Sequence, residues 1–352
     1  MNVKGKKIVV GMSGGVDSTI SLILLKKQGW QTIGATIKLP KWEKQANEKA
    51  IKKAKKICKK LNVPHFTIPA KRDFKNHVVS YFLKELKNNR TPNPCVICNR
   101  DIKFQKLFEF AKKKGIKYVA TGHYAKIKLN SKTKKYELLK AKDNKKDQTY
   151  FLALLPQKWL KYIVFPLDDY TKKQVYQIAT QMGLKKLVRT GESQDFCFLK
   201  NKSLPLFLEK TLGRNIGGII DDKGNILGKH YGTYFYTIGQ RKGIGLNKGP
   251  YFVKEKNKKK NLVVVTKDKA KISKKEIFLK PFNFISGKTI TKKIFIKAKI
   301  RYSHESAAAT LFPPNKAGEL KIVFSKPQIA ITPGQFCVFY KKNTCLGAGM
   351  IN

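Results

Sequence analysis

The sequence predicts an α/β protein whose first half is built on a parallel sheet and whose last part is all β. Two observations carry this prediction. Residues 1 to about 200 alternate short β-branched runs with helical segments, a rhythm that places helices on both faces of a parallel sheet. From Gly217 onward, short strands punctuated by glycine follow one another, which favours a small antiparallel β-barrel near the C-terminus.

The elements of the first half follow from local patterns. β-branched or apolar runs predict strands at 7–10, 31–37, 65–68 and 118–121. Helical periodicity predicts helices at 19–25, 47–61, 73–87, 102–114 and 171–182, with a hairpin over 126–139. Ligands of a parallel sheet bind at the carboxyl ends of its strands, so residues just after the strands at 7–10 and 118–121 are candidate site residues.

The second half shows a different pattern. A strand at 218–220, a turn at 222–224 and a strand at 234–236 are predicted first. The lysine run 256–260 separates two further strands and predicts an exposed turn. The barrel is predicted from short strands at 294–296, 320–323 and 337–340.

The charge of the chain permits a nucleic-acid partner. The formal net charge is +53 at pH 7, which favours a polyanion such as RNA, because basic side chains replace its condensed counterions. Only seven of the 75 basic residues are arginine, however, and an AT-rich genome would impose such a lysine excess on any protein. No apolar run approaches the roughly 20 residues of a membrane span, and the first residues lack a signal peptide. A cytoplasmic protein is expected.

A glycine-rich stretch between the first strand and the first helix is the strongest candidate site. It reads Gly11, Met12, Ser13, Gly14, Gly15, Val16, Asp17, Ser18. Such a turn offers backbone N–H groups and the positive end of a helix dipole to an anion, and Gly14 and Gly15 let the backbone approach a phosphate. Ser13 and Ser18 add hydroxyl donors, and Asp17 could hold Mg²⁺ or cap the helix.

Two common nucleotide motifs do not match this stretch. A Walker A loop requires Gly-Lys-Ser/Thr, and the dinucleotide fingerprint requires G-x-G-x-x-G. An ordinary tight turn is the alternative without function. The sequence S-G-G-V-D-S resembles the signature of the PP-loop ATP pyrophosphatases, which cleave ATP to AMP and pyrophosphate.

The cysteines form a second group of candidates. Two prolines in the stretch 91–94 predict an extended loop, followed by Cys95 and Cys98, with Cys98 just before the helix predicted at 102. A thiol near a helix N-terminus has a lowered pKa and is nucleophilic. A reactive pair and half of a zinc site both remain open. Cys197 lies between two phenylalanines, a pattern more typical of buried packing.

Taken together, the motifs carry a resemblance that covers nearly the whole chain. In order they are SGGVDS, TPNPCxxCN, ATGHYA, KDQTYFL, SQDFCF, TIGQRKGIG, RYS and TPGQ. This series resembles the tRNA-specific 2-thiouridylases, or MnmA family, of the PP-loop superfamily. The resemblance implies a Rossmann-like PP-loop domain at 1–203, a small middle tRNA-binding domain at 204–272 and a C-terminal antiparallel β-barrel at 273–352.

The resemblance also implies roles for individual residues. Cys98 would be the catalytic nucleophile and Cys197 the persulfide carrier, and the two would end the reaction as a disulfide. ATP would contact Ile37 and Gly122 besides the loop from Gly11 to Ser18. The target base would meet Asn93, Pro94 and Cys95, and tRNA would contact Lys146, Asp147, Gln148, Arg301 and Tyr302. Two positions depart from the family: some relatives have aspartate where this chain has Cys95, and methionine is common where it has Ile37.

The implied reaction converts the wobble uridine of tRNA to 2-thiouridine. It uses ATP and Mg²⁺ and releases AMP and pyrophosphate. Its sulfur would come from a donor such as a cysteine desulfurase or a sulfur-relay protein. Three alternatives stay open: an iron–sulfur cluster on the three cysteines at 95, 98 and 197, a different adenylating PP-loop ligase, and a basic RNA-binding protein with a degenerate nucleotide fold.

Overall fold

The computed structural model describes residues 3–40, 44–188 and 204–352. A parallel sheet forms the first layer of the fold. Its strands pair in the order β3 (His65–Pro69), β2 (Gln31–Lys38), β1 (Lys7–Gly11), β4 (Tyr118–Ala120) and β7 (Ile163–Val164). Every pairing is parallel, as predicted. Ile8, Val9 and Val10 are all fully buried, because a central parallel strand is covered on both faces.

Helices cover both faces of this sheet. α1 (Val16–Lys27) and α9 (Lys172–Gln181) lie on the face to which Ile8 and Val10 point, whereas α6 (Gln105–Lys113) lies on the face of Val9. The other helices are α2 (Lys44–Lys60), α3 (Lys71–Phe74), α4 (Ser80–Lys87), α5 (Pro94–Cys98), α7 (Thr149–Leu152), α8 (Gln157–Leu160), α10 (Lys185–Val188) and α11 (Leu204–Leu212). Two π-helical segments, Lys75–Val79 and Asn99–Phe104, join α3 to α4 and α5 to α6.

A second, mixed sheet forms the middle of the chain. Its order is β10 (Phe252–Asn257), β11 (Leu262–Thr266), β8 (Gly217–Ile220) and β9 (Ile226–His230). The strand predicted at 234–236 is wrong: a 3-10 helix, Thr233–Phe235, takes its place. Gly232, at φ 150°, turns the chain just before it, and the hydroxyl of Tyr234 donates to the carbonyl of Gly213 at 2.7 Å. The lysine run begins inside β10, so only its latter part, 258–260, forms the predicted exposed turn.

The C-terminal part is the predicted antiparallel barrel. Six strands pair in the order β12 (Ser273–Phe284), β15 (Leu320–Ile329), β14 (Ala307–Leu311), β13 (Ile294–Lys299), β16 (Phe336–Lys341) and β17 (Thr344–Ile351), and β12 closes on β17. The interior is apolar, with Leu279, Leu311, Ile322 and Phe339 fully buried. The α/β class with a parallel sheet and a C-terminal barrel is confirmed.

One connection between the first and last parts was not predicted. The hairpin of β5 (Lys126–Leu129) and β6 (Tyr136–Leu139) adds to the edge of the barrel sheet. Leu138 and Leu139 of β6 pair with Cys345 and Thr344 of β17. The PP-loop half and the barrel therefore share one continuous sheet. No helix within the described ranges is both long and apolar enough to cross a membrane.

Candidate active site

The glycine-rich loop lies between β1 and α1, at the carboxyl edge of the parallel sheet. Gly14 has φ 77°, a conformation that favours glycine, and a Cβ there would lie 2.9 Å from the carbonyl of Ala50. The Oγ of Ser13 accepts from the N–H of Gly15 at 3.3 Å and lies 3.2 Å from the Oγ of Ser18. The loop is thus fixed by its own hydroxyl groups, in the predicted strand–loop–helix setting.

The other residues expected at the nucleotide lie at the same edge. Ile37 is near the end of β2, and Gly122 follows β4. A Cβ on Gly122 would come within 2.8 Å of the N–H nitrogen of Ser18, so only glycine allows this close contact. The N–H of Met12 donates to the carbonyl of Ala35 on β2 at 2.7 Å, which extends the pairing of the two strands into the loop.

Asp17 does not cap α1; it forms an ion pair. The cap position belongs to Gly15, without a side-chain hydrogen bond. Both carboxylate oxygens of Asp17 accept from the Nζ of Lys172, at 2.7 and 2.8 Å, and one also accepts from the hydroxyl of Tyr124 at 2.9 Å. The sequence analysis missed Lys172 and Tyr124. Lys172 is one of 75 basic residues, and its local sequence only marks it as the first residue of a helix.

The segment Pro94–Cys98 is helical, so the extended loop predicted at 91–94 ends at Asn93, and Cys95 and Cys98 lie in a helix. α5 begins at Pro94, and the side chain of Asn93 caps it by accepting from the N–H of Cys95 at 3.2 Å. Proline is favoured at the first helical position and asparagine at the cap, so this pair starts a helix. Cys98 therefore ends α5, within a helical run that continues to Lys113, and does not lie just before a helix N-terminus as predicted.

The two cysteines of this segment have different surroundings. Cys98 is 4% exposed and lies in an apolar cluster with Phe82, Ile102 and Phe207, the last of which belongs to α11. Cys95 is half-buried. In the parts of the chain that the structure describes, no three histidine, cysteine, aspartate or glutamate side chains are arranged to hold a metal. Cys197 lies outside the described residues, and so does its expected disulfide with Cys98.

Loops from the other two parts hold the segment that leads to α5. The N–H of Thr91 donates to the carbonyl of Pro333 at 2.8 Å, and Nε2 of Gln335 donates to the carbonyl of Thr91 at 2.9 Å. The hydroxyl of Thr91 also reaches that of Thr237 at 3.5 Å. A Cβ on Gly334 would lie 2.9 Å from the N–H nitrogen of Thr91. The TIGQ and TPGQ motifs thus contact the cysteine segment's N-terminal end.

The segment from Lys146 to Gln148 is linked to the glycine-rich loop through Tyr124. The carboxylate of Asp147 accepts from the hydroxyl of Thr149 at 2.7 Å, and burial raises the pKa of Asp147. The N–H of Gln148 donates to the carbonyl of Tyr124 at 2.8 Å, and the side-chain oxygen of Gln148 accepts from the N–H of Tyr124 at 3.0 Å. Since Tyr124 in turn contacts Asp17, Gln148 helps to fix the nucleotide loop. The backbone N–H of Lys146 donates to Asp143.

Arg301 and Tyr302 face the protein interior more than expected for tRNA contacts. Nη2 of Arg301 donates to the carbonyls of Ile238 and Ala330 at 3.0 and 2.8 Å and contacts the hydroxyl of Thr332. The ring of Tyr302 lies 4.4 Å from that of Phe151. Arg301 thereby joins the middle sheet to the barrel. Contact with tRNA stays a prediction for both residues.

His123 follows β4 and packs beneath the sheet edge. Its Nδ1 lies 2.7 Å from the hydroxyl of Thr121, and its ring stacks on Phe104 with 5.9 Å between centroids. Burial lowers the pKa of His123 to about 3, so the ring is neutral at physiological pH. This geometry suits a packed, hydrogen-bonded histidine.

Comparisons with known proteins agree on one family over the full chain. Family models describe residues 6–201 as a tRNA methyl transferase HUP domain, 206–267 as a tRNA methyl transferase PRC-barrel domain and 274–351 as an aminomethyltransferase beta-barrel domain. The chain is 40% identical over 362 residues to a tRNA-specific 2-thiouridylase of Clostridium botulinum, covering 100% of this chain and 99% of that protein. It is 40% identical over 360 residues to the enzyme of the same description from Clostridioides difficile, covering 98% of each.

Among solved structures, a U34-tRNA thiolase from Methanococcus maripaludis with a [4Fe-4S] cluster is 18% identical to this chain. The match has a TM-score of 0.37 and covers 59% of this chain and 67% of that one. So low a score says nothing about the chemistry of the site.

Proposed function

The chain belongs to the tRNA-specific 2-thiouridylase family, and on this basis we propose that it catalyses the ATP-dependent conversion of the wobble uridine of tRNA to 2-thiouridine. The observation that carries the proposal is the loop Gly11–Ser18, which has the geometry of a phosphate site and no Walker lysine. Such a loop suits release of pyrophosphate. α6, which continues the helical run of Cys98, packs against this loop: Leu107 lies 3.2 Å from where a Cβ on Gly11 would be.

The first step activates the base. A uridine carbonyl oxygen is a poor leaving group, so sulfur cannot displace it directly. In the proposed step, O2 bonds to the α-phosphorus of ATP, the bond from that phosphorus to its bridging oxygen breaks, and the electron pair leaves with pyrophosphate. The N3 proton is lost to solvent. The loop N–H groups and the dipole of α1 stabilise the charge that develops on pyrophosphate.

The second step delivers sulfur. The terminal sulfur of a Cys197 persulfide bonds to C2, and AMP leaves with the original O2. The Cys98 thiolate then attacks the Cys197 sulfur, which breaks the S–S bond and leaves sulfur on C2. A proton returns to N3, and the product disulfide joins Cys98 to Cys197. A thiol reductant reopens the disulfide, and a persulfide-carrying protein, either a cysteine desulfurase or a sulfur-relay protein, reloads Cys197.

Mg²⁺ is expected with ATP, but the described residues do not form a site for it. Both oxygens of Asp17, the carboxylate in the loop, already accept from Lys172. We therefore assign no step to an ion held by the protein.

The remaining parts of the proposal concern tRNA and domain limits. We propose that the PP-loop domain spans residues 1–203, a middle tRNA-binding domain residues 204–272 and the barrel residues 273–352. We also propose that the protein modifies tRNA in the cytoplasm. The net charge of +53 supports a large electrostatic share of tRNA binding, so the logarithm of affinity should fall linearly with the logarithm of salt concentration.

The test is mass spectrometry of nucleosides from tRNA incubated with the protein, ATP and a persulfide source. Cys98→Ser and Cys197→Ser should each abolish 2-thiouridine but leave ATP binding intact, whereas Cys95→Asp should retain appreciable activity. Cys345→Ala, which removes a buried thiol of the barrel, is the matched control and should stay active. Labelled ATP should give AMP and pyrophosphate.

Two results would contradict this scheme. Release of ADP and phosphate during turnover would exclude adenylation. Iron-dependent activity together with an inactive Cys95→Asp variant would replace the persulfide mechanism by a cluster, since a carboxylate is a poor cluster ligand beside thiolates.

A further inference from the structure

The nucleotide loop contains no cation of its own. Between Ile8 and Leu25 the sequence has neither lysine nor arginine, although the loop must hold a highly charged polyphosphate. P-loop proteins solve this problem with a lysine inside the motif. In this chain, Lys172 brings a positive charge to the loop from the distant helix α9.

The position of Lys172 is fixed on the backbone side. It is the first residue of α9, after a capping box formed by Thr171 and Gln174. Its N–H donates to a carboxylate oxygen of Asp143 at 2.9 Å. The backbone at Lys172 is therefore fixed, whereas the long side chain, with four rotatable bonds, can redirect the ammonium group.

The ammonium group is held where an anion would bind. The side chain of Lys172 is only 9% exposed, and its Nζ lies 4.9 Å from the ring centre of Tyr176 and 5.9 Å from that of Tyr124. Its partner Asp17 is in the first turn of α1, the turn whose free N–H groups favour an anion. At this position the ammonium lies beside the helix turn that would face a phosphate seated on the loop.

A purely structural role explains this arrangement poorly. The dipole of α1 already stabilises a carboxylate in its first turn, so Asp17 does not require a buried cation for that purpose. Removing an ammonium from water is costly, and the attraction to one carboxylate only roughly repays it. A buried cation at an anion site is instead suited to stabilise charge on a bound phosphate, because screening by water is weak there.

We propose that Lys172 binds the β- and γ-phosphates of ATP and stabilises the charge that builds up on departing pyrophosphate, with Asp17 and Tyr124 positioning its ammonium group. Lys172 would thus bind the phosphates in place of the Walker lysine that the loop lacks. This inference rests on the proposed function for the identity of the nucleotide, but it concerns the triphosphate alone and needs neither tRNA nor sulfur.

The test compares ATP with AMP, which lacks the β- and γ-phosphates. Dissociation constants of both are measured by calorimetry on the full chain, for the native protein and for Lys172→Met. The variant should lose ATP affinity at least tenfold, while its AMP affinity changes less than threefold. Lys173→Met is the matched control, since Lys173 is exposed on the same helix one residue later, and it should change neither constant.

A double variant separates contact with phosphate from neutralisation of Asp17. Asp17→Asn combined with Lys172→Met removes both charges of the pair, and it should still bind ATP at least tenfold more weakly than the native protein. Native ATP affinity in the double variant would overturn the proposal. Equal loss of ATP and AMP in Lys172→Met, including loss through unfolding, would also overturn it. If the chain failed to make 2-thiouridine, the selective loss of ATP affinity would still be expected, so the two proposals fail separately.

Discussion

Replacing Arg301 by methionine tests whether this residue holds the middle sheet on the barrel. Nη2 of Arg301 contacts three acceptors: the carbonyls of Ile238 and Ala330 and the hydroxyl of Thr332. It carries two hydrogens, so at most two acceptors are fully bonded at once. A hydrogen bond to a charged donor contributes about 1.5–3 kcal/mol, and two therefore give a lower estimate of about 3 kcal/mol. That corresponds to about a 100-fold change in the equilibrium for local opening.

Hydrogen exchange read by mass spectrometry measures this opening directly. The N–H of Gly239 donates to Val253 and that of Ala330 donates to Ile272, so both amides report on the contact. In Arg301→Met, exchange in the segments 237–240 and 328–332 should accelerate about 100-fold. Exchange in α1 should not change. Arg241→Met is the control, because Arg241 is exposed, and exposed substitutions shift stability by less than about 0.5 kcal/mol.

The result also decides between two roles for Arg301. Exchange within threefold of the native protein at both segments would refute the structural role. If tRNA affinity then fell while ATP affinity did not, Arg301 would be the direct tRNA contact that the family resemblance implies. If exchange accelerates and tRNA affinity falls together, the loss of affinity follows from separation of the middle sheet and the barrel.

Two further predictions concern α5 and the middle sheet. Asn93→Ala removes the side-chain cap of α5 at a cost of about 1 kcal/mol, so single-turnover thiolation should slow about fivefold. Asn93→Ser should restore the rate, because serine is also a good helix cap. A serine variant as slow as the alanine variant would show that the Asn93 amide acts on the base instead. Burial lowers the pKa of Lys256 to about 8 from its usual 10.5, so the unfolded chain binds more protons between these values and stability rises with pH there. Lys256→Met should flatten the rise of melting temperature between pH 8 and 10, and the exposed control Lys258→Met should not; equal slopes in all three proteins would contradict the assigned pKa.

Local sequence patterns predicted the elements that are formed by short runs of apolar residues or glycines. The central residues of β1, Ile8 to Val10, are β-branched and buried on both faces, and Gly14 and Gly15 follow in the turn, so strand, loop and helix could be predicted from the sequence. Between Asn93 and Cys98, the prolines suggested an extended chain, but Pro94 after a capping asparagine starts a helix. The three consecutive aromatic residues at 234–236 resembled a strand, but they follow a turn at Gly232, and the first two of them lie in a 3-10 helix.

Contacts between distant segments could not be predicted from such patterns. Lys172 meets Asp17 only because the fold brings α9 beside α1, and nothing local distinguishes it from Lys173. The roles of Arg301 and Gln148 as internal contacts depend on carbonyls and amides far along the chain. The family resemblance singled out Arg301 and Gln148 as candidates, whereas their bonding partners depend on the tertiary structure.

The shared sheet of hairpin β5–β6 and β17 has a consequence for synthesis of the chain on the ribosome. The hairpin leaves the ribosome with the PP-loop half, but the strand that covers its edge, β17, is made only after the whole middle sheet and most of the barrel. During that interval the outer edge of β6 presents unpaired N–H and C=O groups, which invite pairing with another nascent chain. Lys134 and Lys135, directly before β6, place positive charge beside this edge, where mutual repulsion opposes such pairing until β17 arrives.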